Sequence, residues 1–166
     1  MNPSPEISCL ERLSPELLGE LLGELLEDDL PVELRVTGSS MSPFVRSGDV
    51  ILLRPRPAAA IRTGDVVAFL RGEKRLVVHR VVSRRERGFL TRGDASPQAD
   101  GRVAGGEILA VVERVTRRGA RVRLGLGPER LVIAWLSRCG LLGPVLRSLR
   151  WLVLLFLRRR RAGPAV

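Results

Sequence analysis

Short apolar segments separated by turn residues run through the middle of the chain, and this pattern constrains the fold more than any other. The segments are rich in β-branched residues, and glycine, proline and aspartate punctuate them. The predicted strands are 32–37, 49–54, 65–70, 75–84, 88–91, 107–116 and 120–124. Closely spaced short strands are typical of a compact sheet or barrel. We therefore expect a mainly β domain over residues 32–125.

The segment before this domain, residues 1–31, is acidic and predicts an amphipathic helix over 14–28. Ser14 can cap the helix and Pro15 suits its first position. Six leucines at helical spacing form one stripe, and four glutamates line another face. The leucine stripe either docks on the core of the domain or offers a docking site to a partner protein.

The segment after the domain, residues 126–166, predicts apolar helices interrupted by arginine. Residues 131–166 carry seven arginines and no acidic residue, and Trp135 and Trp151 lie among leucines. A basic amphipathic hairpin over 131–161, lying on an anionic membrane surface, is the favoured interpretation. Packing against the acidic helix 14–28 and a true membrane span are the alternatives, although no charge-free run reaches the length of a span, about 20 residues.

Charge and composition narrow the classes of function. The net charge is +10, but aromatic residues make up only 4% of the chain, which argues against stacking of single-stranded nucleic acid. No helix-turn-helix pattern is evident, so we expect no nucleic-acid partner. The two cysteines, Cys9 and Cys139, have no metal-binding or redox spacing, and we expect neither metal nor cofactor.

The acidic N-terminus does not resemble a secretory signal peptide. We expect a membrane-associated or cytoplasmic protein, with peripheral attachment favoured over a span.

Only two basic side chains in the sequence could act as a general base towards a hydroxyl group. The chain has one histidine, His79, and one lysine, Lys74, and its other basic residues are arginines. Arginine stays protonated and cannot accept the proton. Upstream, Ser40 lies in a Gly-Ser-Ser turn directly before Met41, and constrained turns of this kind often present a nucleophilic serine.

Five short segments together carry a resemblance to a known enzyme superfamily. They are GSSMSP at 38–43, SGDV at 47–50, TGDVVAF at 63–69, VVHRVV at 77–82 and LTRGD at 90–94. In order and spacing they resemble the motifs of the signal peptidases and LexA-type serine proteases, over about residues 32–115. The resemblance implies a compact signal-peptidase/LexA-like β-fold with Ser40 as the nucleophile.

The base position implies a subtype. The more familiar members of the superfamily carry lysine where this chain has His79, whereas the endoplasmic-reticulum and archaeal signal peptidases carry histidine. Lys74 lies five positions earlier, and an odd separation places it on the other face of a regular strand. The resemblance thus implies a Ser-His-Asp mechanism. It favours Asp100 as the third member, with Asp94 as the alternative.

The sequence departs from the signal-peptidase pattern at the nucleophile. A hydroxyl is usual two residues before the serine, but Gly38 stands there, as in the LexA-like form. The oxyanion is then expected to bind main-chain N–H groups, including that of Ser40. We expect a serine endopeptidase that binds its protein or peptide substrate as an extended strand and cleaves leader or signal segments. The alternatives are a cytosolic LexA-like protease that cleaves itself or a dedicated peptide, and a non-catalytic binding module of the same fold.

Overall fold

The computed structural model describes residues 17, 21, 22, 24, 30–72, 75–86 and 88–161, with side chains after 149 described only at 151, 152 and 154. Leu17, Leu21, Leu22 and Glu24 are helical, as the pattern over 14–28 predicts. The side chain of Leu22 is fully buried in the core. The rest of the predicted N-terminal helix lies outside the described residues.

An antiparallel sheet dominates the described residues, and the predicted mainly β fold is confirmed. Its strand order is β1-β2-β7-β3-β4-β5-β6, with β8 pairing with β7. The strands are β1 Val32–Arg35, β2 Val50–Arg54, β3 Val66–Arg71, β4 Arg75–Arg85, β5 Gly88–Arg92, β6 Arg102–Val103, β7 Ile108–Arg117 and β8 Ala120–Val122. Each of the seven predicted strands has a counterpart. The two-residue β6 was not predicted, because so short a strand leaves no alternating pattern to detect.

The central strand β3 is covered on both faces, which explains its continuous apolar sequence. Val66 and Ala68 contribute to one buried cluster, together with Leu22. Val67 and Phe69 contribute to a second cluster on the other face. Since side chains alternate along a strand, the run from 66 to 69 serves both cores at once. The neighbouring strand β4, which carries His79, is thereby held against a rigid centre.

Two helices, α1 Arg130–Arg138 and α2 Leu142–Arg161, follow the sheet, and the prediction of C-terminal helices is confirmed. α1 packs near β4, and a small apolar cluster of Phe44, Ile133 and Leu142 joins both helices to the loop after β1. Within the part of the chain that the structure describes, neither helix alone is long and apolar enough to cross a membrane. α1 and residues 142–149 of α2 reach that length and apolarity only as a pair, bent by 116°.

Candidate active site

Ser40 lies in a tight turn that the strands on either side hold in place. Gly38 adopts a φ of 96°, which permits the chain to turn sharply after β1. The next side chain, Met41, is 3% exposed and packs in the core, whereas Ser40 is exposed. Because one neighbour anchors the turn in the interior, the hydroxyl of Ser40 is presented at the surface. Among the described residues, none accepts a hydrogen bond from the main-chain N–H of Ser40.

The loop that begins with this turn is closed by a buried carboxylate. The side chain of Asp49 accepts a hydrogen bond from the N–H of Arg46 at 2.8 Å and two from the guanidinium of Arg117, each at 2.8 Å. Burial alone would raise the pKa of Asp49. The Arg117 pair and the Arg46 N–H outweigh burial and hold the pKa below its usual value. The loop is therefore tied to β7 at its far end.

His79 lies in the middle of β4, directly opposite Val67 of β3. The residue is 8% exposed, and its ring meets the Phe69 ring edge-on at a centroid distance of 6.4 Å. Packing on both sides leaves the imidazole little freedom to rotate. The two ring nitrogens are thus directed at fixed partners.

Ser40, His79 and Asp100 form a continuous chain of hydrogen-bonding contacts. The Ser40 Oγ lies 3.0 Å from His79 Nε2, and His79 Nδ1 lies 2.5 Å from Asp100 Oδ2. A hydroxyl, an imidazole and a carboxylate in this order can generate a serine nucleophile, because the imidazole accepts the hydroxyl proton while the carboxylate orients and stabilises it.

The carboxylate of Asp100 has two further hydrogen-bond donors. Thr91 Oγ1 donates to Oδ2 at 3.0 Å, and Arg71 Nη1 donates to Oδ1 at 2.9 Å. Burial would raise the pKa of Asp100, but the contact with His79, assisted by Thr91 and Arg71, holds it below its usual value. Asp100 is therefore ionised at neutral pH. Sequence reasoning missed both Thr91 and Arg71, since nothing in the sequence shows which side chains surround Asp100.

Asp94, the alternative third member, contacts Arg80 instead of His79. Its two oxygens accept hydrogen bonds from Arg80 Nε at 2.8 Å and Nη2 at 2.7 Å, and neither side chain has any solvent exposure. Arg80 Nη1 also donates to the carbonyl oxygens of Gly64 and Gly125. Both charges are paired and hydrogen-bonded, as burial of this kind requires. Lys74, the alternative base, lies outside the described residues.

Gly93 allows the loop before Asp94 to approach the serine and histidine closely. A Cβ at this position would lie 2.7 Å from the carbonyl oxygen of Ser40 and 2.9 Å from His79 Nε2. The N–H of Ala95 donates to the same Ser40 carbonyl at 2.8 Å. The loop thereby fixes the main chain of the turn that carries the hydroxyl. The sequence marks Gly93 as part of a motif but gives no sign of this contact.

A comparison with protein families gives one match. Residues 24–93 match the model of the Peptidase S24-like family. The matched region contains Ser40 and His79 and ends before Asp94 and Asp100. The match supports a serine-peptidase-type fold. No curated protein and no solved structure gives a significant match.

A cleft of about 360 Å³ opens beside Asp100. Its walls include Phe69 and Leu109, which are apolar, and Arg71 and Arg102, which are basic. Because Arg71 also binds Asp100, the cleft and the Ser40–His79–Asp100 chain share a wall.

Proposed function

We propose that the protein is a serine endopeptidase that cleaves leader or signal segments of other proteins, using Ser40, His79 and Asp100. The observation that carries the proposal is the continuous contact from the Ser40 hydroxyl through the imidazole to a buried carboxylate. The Peptidase S24-like match supports a peptidase in general. The resemblance of the histidine motif to the endoplasmic-reticulum and archaeal signal peptidases supports the choice of substrate.

The geometry supports a two-step acyl transfer. Ser40 Oγ attacks the scissile carbonyl while its proton passes to His79 Nε2, and the carbonyl oxygen becomes an oxyanion near the Ser40 N–H. His79 then gives the proton to the departing amine, the peptide C–N bond breaks and an ester with Ser40 remains. A water molecule, deprotonated by His79, hydrolyses that ester and restores the serine. Asp100 stabilises the imidazolium in each step without taking its proton.

The substrate is proposed to bind as an extended strand. Within the described residues, β1 pairs only with β2, so its second edge has no strand partner. β1 ends at Arg35, five residues before Ser40. An extended peptide added at this edge by main-chain hydrogen bonds would run towards the nucleophile.

The experiment is incubation of the purified chain with a panel of leader peptides, read by mass spectrometry. Ser40→Ala and His79→Ala are expected to abolish cleavage, and Ser47→Ala, which removes another exposed hydroxyl from the following turn, should keep it. Circular dichroism of each variant verifies that the fold is retained. Cleavage that survives His79→Ala would overturn the mechanism.

Two other outcomes of the incubation, self-cleavage and peptide binding without cleavage, distinguish the other functions that this fold could support. A new, smaller mass of the wild-type chain, absent in Ser40→Ala, would indicate cleavage of itself rather than of leader peptides. A wild-type chain that binds the peptides without cutting them would indicate a binding module and contradict the proposal.

A further inference from the structure

The C-terminal helices expose an unusual amount of apolar surface. The exposed large side chains of this region are Leu131, Val132, Trp135, Leu141, Leu149, Trp151, Leu152 and Leu154, each between 45% and 63% exposed. Exposed arginines at 138 and 147 lie among them. We call these residues the C-terminal apolar surface. So many exposed large apolar residues in two neighbouring helices indicate an interaction site.

This surface is separate from the one by which the helices hold the domain. On α1, Ile133, Ala134 and Ser137 are buried, and they form the side that faces the sheet. Leu131, Val132 and Trp135 follow helical spacing on the remaining side and are more than half exposed. One apolar side of α1 therefore packs on the sheet, while the second stays exposed.

We propose that the C-terminal apolar surface binds the interface of an anionic lipid bilayer and lies in its plane. Two observations favour a membrane over a protein partner. The exposed residues combine leucine with both tryptophans of the chain, and tryptophan prefers the headgroup region. Residues 131–166 supply seven arginines and no acidic residue, which suits anionic headgroups.

The positive charge also argues against a second copy as the occupant. In a dimer of two identical surfaces, the positively charged arginines of both copies would come together in a desolvated interface, and their repulsion is unfavourable. Anionic lipids remove that repulsion and leave the apolar side chains buried.

The surface is linked to the candidate active site through Arg92. Arg92 Nη1 donates to the carbonyl of Ser137 near the end of α1 at 2.6 Å, and Arg92 Nε donates to the carbonyl of Ser96 at 2.9 Å. The loop containing Ser96 is the one that contacts the Ser40 turn. Docking of α1 on a bilayer would therefore hold the Ser40 turn close to that bilayer. Membrane binding itself requires no catalysis, so it can fail or succeed independently of the proposed peptidase function.

The two tryptophans make the test direct, because both lie on the proposed surface. We expect the emission of the full chain to shift to the blue on addition of vesicles containing phosphatidylglycerol, and to shift far less with pure phosphatidylcholine. Lipids brominated near the ester carbonyls should quench the tryptophan emission more than lipids brominated near the ends of their acyl chains. Stronger quenching by the deep bromines would overturn the interfacial placement in favour of a span.

Variants with matched controls identify the surface. Leu131→Ser combined with Val132→Ser should weaken vesicle partitioning, while Leu124→Ser, at a leucine 63% exposed outside the surface, should not. Arg138→Gln is expected to weaken partitioning about fivefold, and Arg121→Gln, at an exposed arginine on β8, should change it far less.

Two results would overturn the proposal. One is an emission spectrum that does not respond to anionic vesicles. The other is a stable dimer, measured by light scattering without lipid, that dissociates in the Leu131→Ser, Val132→Ser variant, because a second copy would then cover the surface.

Discussion

Arg71 donates a hydrogen bond from Nη1 to Oδ1 of Asp100, the carboxylate oxygen that His79 does not contact. The arginine side chain is 55% exposed, whereas that of Asp100 is 8% exposed. The solvent-exposed guanidinium of Arg71 therefore forms an ion pair with the nearly buried carboxylate of Asp100. This contact stabilises the ionised form of Asp100 without competing for the oxygen that orients the imidazole.

Arg71→Gln is expected to slow catalysis mildly and leave the fold intact. Loss of the cation raises the pKa of Asp100 towards its usual value, but the contacts with His79 and Thr91 remain. We expect kcat to fall by about tenfold or less, since one partly exposed charge-assisted hydrogen bond contributes about 1 kcal/mol. Steady-state cleavage of a leader peptide measures it, with Arg75→Gln, at another exposed arginine, as the control.

Asp100→Asn and Asp94→Asn should affect different properties. An amide at 100 favours the wrong imidazole tautomer, so kcat is expected to fall by about 10⁴-fold. Because the native pKa of Asp100 is lowered, the change also costs some stability, but less than loss of the fully buried pair at 94. An amide at 94 breaks a fully buried ion pair, and we expect about 3–5 kcal/mol less stability. Urea unfolding and peptide cleavage on both variants measure this. Equal stability loss in the two, or a greater catalytic loss for Asp94→Asn when both are folded, would contradict the assignment.

Gly93→Ala is expected to reduce activity by at least about 100-fold. The new Cβ would collide with the Ser40 carbonyl and His79 Nε2, and a displacement of about 1 Å at a reacting group costs that much. Gly143→Ala on α2 is the matched control, because a Cβ there meets nothing within 4 Å. Activity kept by Gly93→Ala would show that the loop moves away without consequence.

The lowered pKa of Asp49 predicts that the free energy of unfolding depends on pH in the acid range. The native pKa of Asp49 is lowered, while in the unfolded chain it stays near 3.8. Its contribution is therefore complete above about pH 4 and is lost as pH falls through the lower native pKa. Asp49→Asn should cost about 2 kcal/mol at pH 7, and the difference from wild type should narrow below pH 4. Urea unfolding across this range measures both, and a difference independent of pH would contradict the argument.

Much of the sheet was predictable because its strands follow simple patterns. Glycine and proline mark the turns, and residues 66–69 are apolar throughout because β3 is covered on both faces. Ser40 and His79 were predictable by resemblance and by scarcity, since the chain has a single histidine. Their contact also needed the pairing of β7 with both β2 and β3, strands distant from it in the sequence, which no local pattern gives.

The resemblance favoured Asp100 over Asp94, but the residues themselves left the choice open, because it depends on a second buried charge. Both aspartates follow His79 in a loop that no pattern orders. Arg80 is adjacent to His79, so the two side chains point to opposite faces of β4. There it binds both oxygens of Asp94, and Asp100 meets the imidazole. The sequence shows Arg80 but not the path by which the loop brings each carboxylate to its own face.

The adjacency of His79 and Arg80 has a consequence for how the chain can change in length. Insertion or deletion of one residue in the first half of β4 would exchange the faces of everything beyond it. The guanidinium would then point at the serine, and the imidazole at a carboxylate in the interior. β4 pairs with β3 residue by residue from Val66 to Arg71, so the pairing on that side cannot accommodate an inserted or deleted residue. We expect related chains to accept many different side chains along this strand, and gaps in their alignment to fall in the connections outside it.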